Sequence, residues 1–234
     1  MDNYTATLET LPRVTHLSGA ISTDQRLKQL IWLYLVLLIF EGALRKWFLA
    51  PLSTPLLVVR DPVAVFILFR AAQSHTLRVL NVYTFPVFLI SILAFLTTFY
   101  SGHGNFFVAI YGVRILLIHF PLIFVIGQAL DREDVEKIGR FLLWLVVPMT
   151  ILISLQYFSP QTAWVNRGVG GSLEGAGFAG ANGFYRPPAT FSFTNGTTLF
   201  FSLSAVFVFY FWQEPSHKIR RWLLIVATGC IATA

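Results

Sequence analysis

Apolar positions along this chain come in long runs, not in stripes. From residue 27 onward, stretches of roughly membrane-spanning length recur at 27–49, 55–72, 81–100, 106–130, 138–158 and 191–212, separated by short polar breaks. About 20 apolar residues in a helix cross the hydrocarbon core of a bilayer. Continuous apolarity, without strict alternation, speaks against a barrel. The pattern predicts an all-α fold: a polytopic transmembrane helical bundle of about six full spans plus an incomplete seventh. Residues 1–26 form a polar tail, 27–234 the transmembrane domain, and 159–190 a glycine-rich loop. The last run, from Trp222 to Ala234, is too short to span, and no polar segment closes it. The sequence is therefore expected to be part of a longer protein.

Local signals divide the runs further. Asp61-Pro62 reads as an N-cap followed by proline at the first helical position, starting a helix at Pro62. This leaves 51–60 as an irregular or re-entrant lead-in. Ser101-Gly102-His103-Gly104 reads as a tight turn. The acidic run from Asp131 to Glu136 reads as a solvated helix start, its carboxylates complementing the helix N-terminus.

Composition supports this picture. Of the 234 residues, 56% are hydrophobic and only 12% charged, about half the charged share of a soluble domain. With the N-terminus placed in the cytoplasm, eleven of the 17 lysines and arginines fall inside. Arg45, Lys46, Arg60, Arg167 and Arg186 fall outside, and Arg114 lies within the membrane. That bias predicts a cytoplasmic N-terminus and an extracytoplasmic glycine-rich loop. The net charge of +6 then reflects basic cytoplasmic loops and anionic lipid headgroups, not nucleic acid. The single Cys230 permits neither a disulfide within the chain nor a cysteine zinc site. No metal and no cofactor is expected.

The loop holds a formal dinucleotide pattern, Gly175-Ala-Gly177-Phe-Ala-Gly180. That fingerprint requires a preceding strand and a following helix. Here Pro187 and Pro188 follow and no βαβ pattern exists, so the glycines read as a pliable loop. Asn3 and Asn195 head formal glycosylation sequons. Neither suits modification, Asn195 because of its closeness to the membrane and Asn3 because of its cytoplasmic placement.

The charged residues carry the candidate chemistry. Arg186-Pro187-Pro188 leads into the sixth span, with the prolines fixing an extended approach. A guanidinium there stands at the outer interface, where it can grip phosphate in a bidentate manner or snorkel to headgroups. Glu41 and Arg45, four apart, share a helix face and can pair, with Trp47 as an interfacial anchor. Arg45, Lys46, Arg60 and Arg186 can alternatively form one cationic cluster for an anionic diphosphate on a lipid. Arg114 inside the fourth span needs a partner, and Glu41 and Asp61 are available. His119, five residues on, lies about 140° away around a regular helix and so is not expected on the same face. His103 is a weak candidate for proton transfer.

Arg186-Pro-Pro-Ala189-Thr190-Phe191-Ser-Phe-Thr194-Asn195 resembles the R-x-x-G-T-F-x-x-P-N stretch of the O-antigen ligase/polymerase superfamily. Ala189 stands where that stretch has glycine and Thr194 where it has proline. The Glu41-Gly-Ala-Leu-Arg-Lys-Trp and Val-Val-Arg60-Asp61-Pro62 segments also look like those of exopolysaccharide-cluster members. The resemblance covers the N-terminal half of such proteins. It implies a bacterial inner-membrane protein that transfers glycan from a polyprenyl-diphosphate donor. Its partners would be that lipid-linked glycan and membrane lipids. Of the candidates, only Arg186 carries over as a motif residue. Arg45, Arg60 and Arg114 are proposed diphosphate contacts on physical grounds, supported by Glu41, Asp61 and Asn195. A transporter or flippase for an anionic lipid-linked glycan and a non-catalytic assembly subunit are the alternatives.

Overall fold

The computed structural model of the chain describes residues 25–74, 79–100, 105–180, 183–214 and 221–233. Residues 1–24 of the expected tail, residues 101–104 with His103, and Arg78, Lys218 and Arg220 lie outside the described residues, whereas Gln25 and Arg26 already belong to the first helix. Helix α1 (Gln25–Ala43) runs into a π-helical turn, Leu44–Phe48. A 3-10 turn (Ala50–Leu52), the four-residue α2 (Ser53–Leu56) and α3 (Arg60–Gln73) follow. Then come α4 (Thr84–Tyr100), α5 (Phe106–Arg114), a second π-helical turn (Ile115–His119), α6 (Phe120–Ala129) and α7 (Arg132–Phe158). The loop contains two 3-10 turns and a two-residue antiparallel hairpin, β1 (Phe178–Ala179) and β2 (Tyr185–Arg186), before α8 (Thr194–Gln213) and α9 (Arg221–Thr233).

Among the described residues, five helical stretches are long and apolar enough to cross a membrane: Gln25–Phe48, Ala50–Gln73, Phe106–Ala129, Arg132–Phe158 and Thr194–Gln213. The expected count of six full spans is therefore corrected. Residues 81–100 do not form one continuous helix, because Asn81 closes a turn ahead of it. Asn81 Oδ1 accepts from the Tyr83 and Thr84 amides at 2.8 and 3.1 Å, and Thr84 Oγ1 donates to the Asn81 carbonyl at 2.7 Å. The helix begins at Thr84 and has 17 residues, about 25 Å at 1.5 Å per residue. Helix α9 has 13 residues.

The expected cap at Asp61 is also corrected. Helix α3 begins two residues earlier than Pro62, at Arg60, with no side-chain cap. The Asp61 carboxylate is engaged elsewhere, by Arg114 and His119. The stretch ahead of α3 is a chain of short helical turns, not an irregular segment. The acidic start of α7 behaves as expected for its first residue. Asp131 Oδ1 accepts from the Asp134 amide at 2.9 Å. Asp134 and Glu136, however, are buried, not solvated. Lys28 of α1 bridges Asp131 at 2.9 Å and also pairs with Asp134.

Helix α1 is shared between two packed groups. Its first half, through Leu27 and Ile31, packs on Ala64, Ile67 and Ala71 of α3 and on Leu122, Val125 and Ala129 of α6. Its second half, through Ile39, joins the core of α7, α8 and α9 around Leu143, Val146, Phe200 and Leu224. Small residues permit close approach between helices in a membrane. Gly139 of α7 lies so near Phe207 of α8 that a Cβ there would overlap the ring. Large apolar side chains such as Phe85, Leu93, Phe107 and Phe209 point outward, as they do where the surroundings are lipid and not water.

Candidate functional site

Three polar features stand out against this apolar frame. The first lies where α1 turns π-helical. Arg45 Nη1 is 3.3 Å from Glu41 Oε1, as expected from their spacing. Arg60 Nε approaches the other carboxylate oxygen at 2.6 Å. Glu41 thus holds two guanidinium groups, one from its own helix and one from α3. Arg45 also donates to the Ser53 carbonyl at 2.8 Å and to Ser192 Oγ at 3.0 Å.

Lys46, beside it, is fully buried. Its Nζ donates to the carbonyls of Ala189 and of Phe191, the latter at 2.9 Å. Thr190 Oγ1 donates to the Ile39 carbonyl at 2.8 Å. Gln156 of α7 accepts from the Ala189 amide at 2.9 Å. A Cβ on Gly42 would overlap Ser192 N, Thr190 O and Phe191 C. The strip 189–192 is therefore laid directly against the α1 backbone, where only glycine leaves room. Ala189 adopts a left-handed φ of 50°, a strained conformation for a residue with a side chain, held by bonds from two helices.

The second feature is at mid-span. Arg114 and His119 both reach Asp61: Arg114 Nη1 pairs with Oδ2, and His119 Nε2 lies 3.2 Å from Oδ1. Tyr34 Oη lies 3.0 Å from His119 Nδ1. The expectation that Arg114 and His119 occupy different faces is corrected. Residues Ile115–His119 are π-helical, and an i→i+5 turn brings residues five apart into line. Pro121 supplies the physical reason. It lacks an amide hydrogen and its ring crowds the carbonyl four residues earlier, so the helix widens just before it. The Phe120 amide bonds to Ile115 O across that wide turn. Arg114 further stacks over the Tyr111 ring at 3.8 Å. Its stem lines an apolar cavity of about 450 Å³ between α4 and α5, with Phe88, Phe95 and Ile110.

The third feature is the loop's end. Arg186 sits on β2, exposed, and lines a cavity of about 670 Å³ with Tyr157, Tyr185, Thr194, Asn195, Thr197 and Thr198. Tyr157 stacks on Phe184 at 5.5 Å. Thr197 Oγ1 is buried with no hydrogen-bond partner. No carboxylate pairs with Arg186 among the described residues. The structure thus brings Glu41, Arg45 and Arg60 together, and separately Asp61 and Arg114. Arg186 and Asn195 share a cavity whose described lining contains none of the other candidates. Arg45, Lys46 and Arg60 hold internal partners, and none of them is among the described residues that line the cavity of Arg186.

Tyr34, Gln156 and Gly42 were missed by sequence reasoning, and His119 was weighed but set on a different face from Arg114. Only Pro121 gave a signal, for the widened turn that carries His119. Among the described residues, no group of three or more His, Cys, Asp or Glu side chains is arranged to hold a metal ion. Comparison with protein-family models, with curated proteins and with solved structures finds no match for this chain. What stands is a polytopic, largely apolar helical membrane protein in which, among the described residues, Glu41 and Asp61 each gather basic groups inside the bundle and Arg186 opens onto a cavity with no carboxylate partner.

Proposed function

We propose that this chain is an O-antigen ligase/polymerase-like protein of the bacterial inner membrane, with its N-terminus in the cytoplasm. It acts in exopolysaccharide or lipopolysaccharide assembly and transfers glycan from a polyprenyl-diphosphate donor. One observation carries this reading: Arg186 is exposed, has no carboxylate partner among the described residues, and opens onto a cavity lined by hydroxyls. A free guanidinium can grip a diphosphate through two parallel hydrogen bonds. Hydroxyl and amide groups from Thr194, Asn195, Thr197 and Thr198 suit a sugar beside it, and Tyr157 offers an aromatic face.

In the transfer, the bond between the anomeric carbon and the diphosphate oxygen breaks, and the acceptor hydroxyl oxygen forms the new bond. Charge grows on the leaving diphosphate, and a positioned cation stabilises it. The hydroxyl proton passes to a base. No described residue lining the Arg186 cavity is a carboxylate or imidazole, so the base is not assigned to that cavity.

Arg45, Arg60 and Arg114 have a different part in this account. Paired with Glu41 and Asp61, they hold helices together and steady the strip that carries Arg186. The test is polymer length in cells that rely on this protein for their surface polysaccharide. Arg186→Lys keeps the charge but loses the fork, and shortened or absent polymer is expected. Wild-type length in both Arg186→Lys and Arg186→Ala would sink the proposal.

A second reading, transport of an anionic lipid-linked glycan, is favoured by one observation. The stretch Ala50–Gln73 is interrupted, and α3 starts near its middle with Arg60 and Asp61. Interrupted helices with charged residues at mid-membrane are a feature of transporter binding sites. Movement of labelled lipid-linked glycan across vesicles without any glycosyl transfer would favour this reading over the first.

A further inference from the structure

Neither reading uses Tyr34 and His119, which meet Asp61 beside its pair with Arg114. The place of this group in the fold is distinctive. Asp61 lies near the middle of Ala50–Gln73, His119 near the middle of Phe106–Ala129, and Tyr34 near the middle of Gln25–Phe48. Three separate spans thus bring hydrogen-bonding groups to one point inside the apolar layer. Ionisable groups at such depth are costly and mark ion or proton pathways far more often than they mark simple packing.

The hydrogen-bond pattern places one hydrogen of the imidazole and leaves its other nitrogen to face a hydroxyl that can donate or accept. Asp61 Oδ1 is an acceptor, so His119 Nε2 carries the hydrogen. Nδ1 then bears a lone pair and accepts from the Tyr34 hydroxyl. Every partner is satisfied with the ring neutral. A second proton can also be accommodated without moving a helix. It binds the Nδ1 lone pair, and the Tyr34 hydroxyl turns from donor to acceptor. The Nε2–H bond to Asp61 stays as it is. The Nδ1–H bond forms as an O–H bond of a hydronium ion breaks and leaves water behind, and no other covalent bond changes.

We propose that Tyr34, His119 and Asp61 form a proton-binding site at mid-membrane, with His119 as the group that takes up and releases the proton. The π-helical turn is the device that makes it. Without it, Arg114 and His119 would not both reach Asp61, and Asp61 would pair with Arg114 alone. The charged groups that face the ring act in opposite senses. Asp61, with Glu41 farther along, favours the added charge, while Arg114 and Arg60 oppose it. Helix α4, packed against the same turn, contributes no charge. Opposed influences of this kind suit a site that must both load and unload.

The test is nitrogen-15 NMR of histidine-labelled protein in lipid nanodiscs. Loss of one signal in His119→Gln assigns the resonance among the five histidines of the chain. At high pH the neutral ring with hydrogen on Nε2 is expected. Lowering the pH from about 8 to about 5, the range in which histidine sites work, should convert it to the doubly protonated form in one step. Asp61→Asn, equal in size but uncharged, should leave the ring neutral over that range. Tyr34→Phe, which removes a single hydroxyl, should change the Nδ1 shift at high pH. A wild-type ring that stays neutral throughout would overturn the proposal. So would a conversion identical in Asp61→Asn, or an Nδ1 signal indifferent to Tyr34→Phe.

Discussion

Lys46, with no exposed surface, donates from Nζ to the carbonyl of Ala189, a residue 143 positions further along the chain. Gln156 holds the amide of that same Ala189 from the opposite side. Ala189 lies three residues beyond Arg186, and Pro187 and Pro188 fill the gap. Because proline fixes its own φ, the hold on Ala189 carries back to Arg186. Lys46→Met keeps the stem but strips the donor from two carbonyls. Unmade bonds of this kind cost about 2 kcal/mol. Thermal unfolding in detergent should show that loss, and function that depends on Arg186 should fall with it.

Gly42 allows the same docking by having no side chain. Gly42→Ala introduces a methyl group where Ser192 N and Thr190 O already stand. The atoms it meets belong to the backbone and cannot rotate away. Overpacking without relief costs about 3 kcal/mol or more. The variant should lose thermal stability and expose the 189–192 strip to protease in detergent, while Gly112→Ala and Gly229→Ala, which meet nothing within 4 Å, should not.

Asp61 and Arg114 stabilise each other inside the bundle. Removing one leaves the other charged and unpaired, at a cost of about 3–5 kcal/mol. Removing both, as Asp61→Asn with Arg114→Gln, should be less harmful than the sum of the two single changes. A double-mutant cycle on unfolding free energy measures this coupling. Purely additive single effects would show that the pair is not an interacting unit.

At the opposite end of the bundle, Asp131 is fully exposed, and Lys28 together with the Asp134 amide holds its carboxyl at about 2. Its folded value lies below the ordinary value of 3.8, so its ionised form favours the folded state. That contribution is present above the ordinary carboxylate range and is lost as pH falls towards about 2. Asp131→Asn keeps an oxygen to cap α7 but loses the ion pair with Lys28. Acid titration of helicity should therefore show a smaller fall for the variant over that window, with little difference from wild type in high salt, which screens exposed pairs.

Much of the architecture was legible in the sequence, because long apolar runs leave helices as the main way to satisfy the backbone in lipid. The runs at 106–130, 138–158 and 191–212 each overlap a helical stretch of spanning length, Phe106–Ala129, Arg132–Phe158 and Thr194–Gln213. The Glu41–Arg45 pair followed from i,i+4 spacing, and Asp61 was one of two partners open to Arg114. What was hidden depends on backbone detail or on distant contacts. Asn81 turns the chain through its own side chain and so shortens α4. The wide turn before Pro121 changes which residues share a face, and regular helical geometry placed His119 on the wrong one. The burial of Lys46 depends on carbonyls 143 and 145 residues away, which no local pattern contains. For the candidate site, the extended approach at Arg186 was legible from its prolines, while the bonds of Arg45 to Ser53 and Ser192 were not.

Binding of a polyprenyl diphosphate to the purified protein in lipid nanodiscs, followed by native mass spectrometry, tests the central claim most directly. Wild type and Arg186→Lys are compared, with Arg167→Lys as a control on the same loop. The account predicts that Arg186→Lys weakens binding by roughly tenfold, about 1.4 kcal/mol, while Arg167→Lys binds as wild type does. Equal affinity in all three proteins would contradict it.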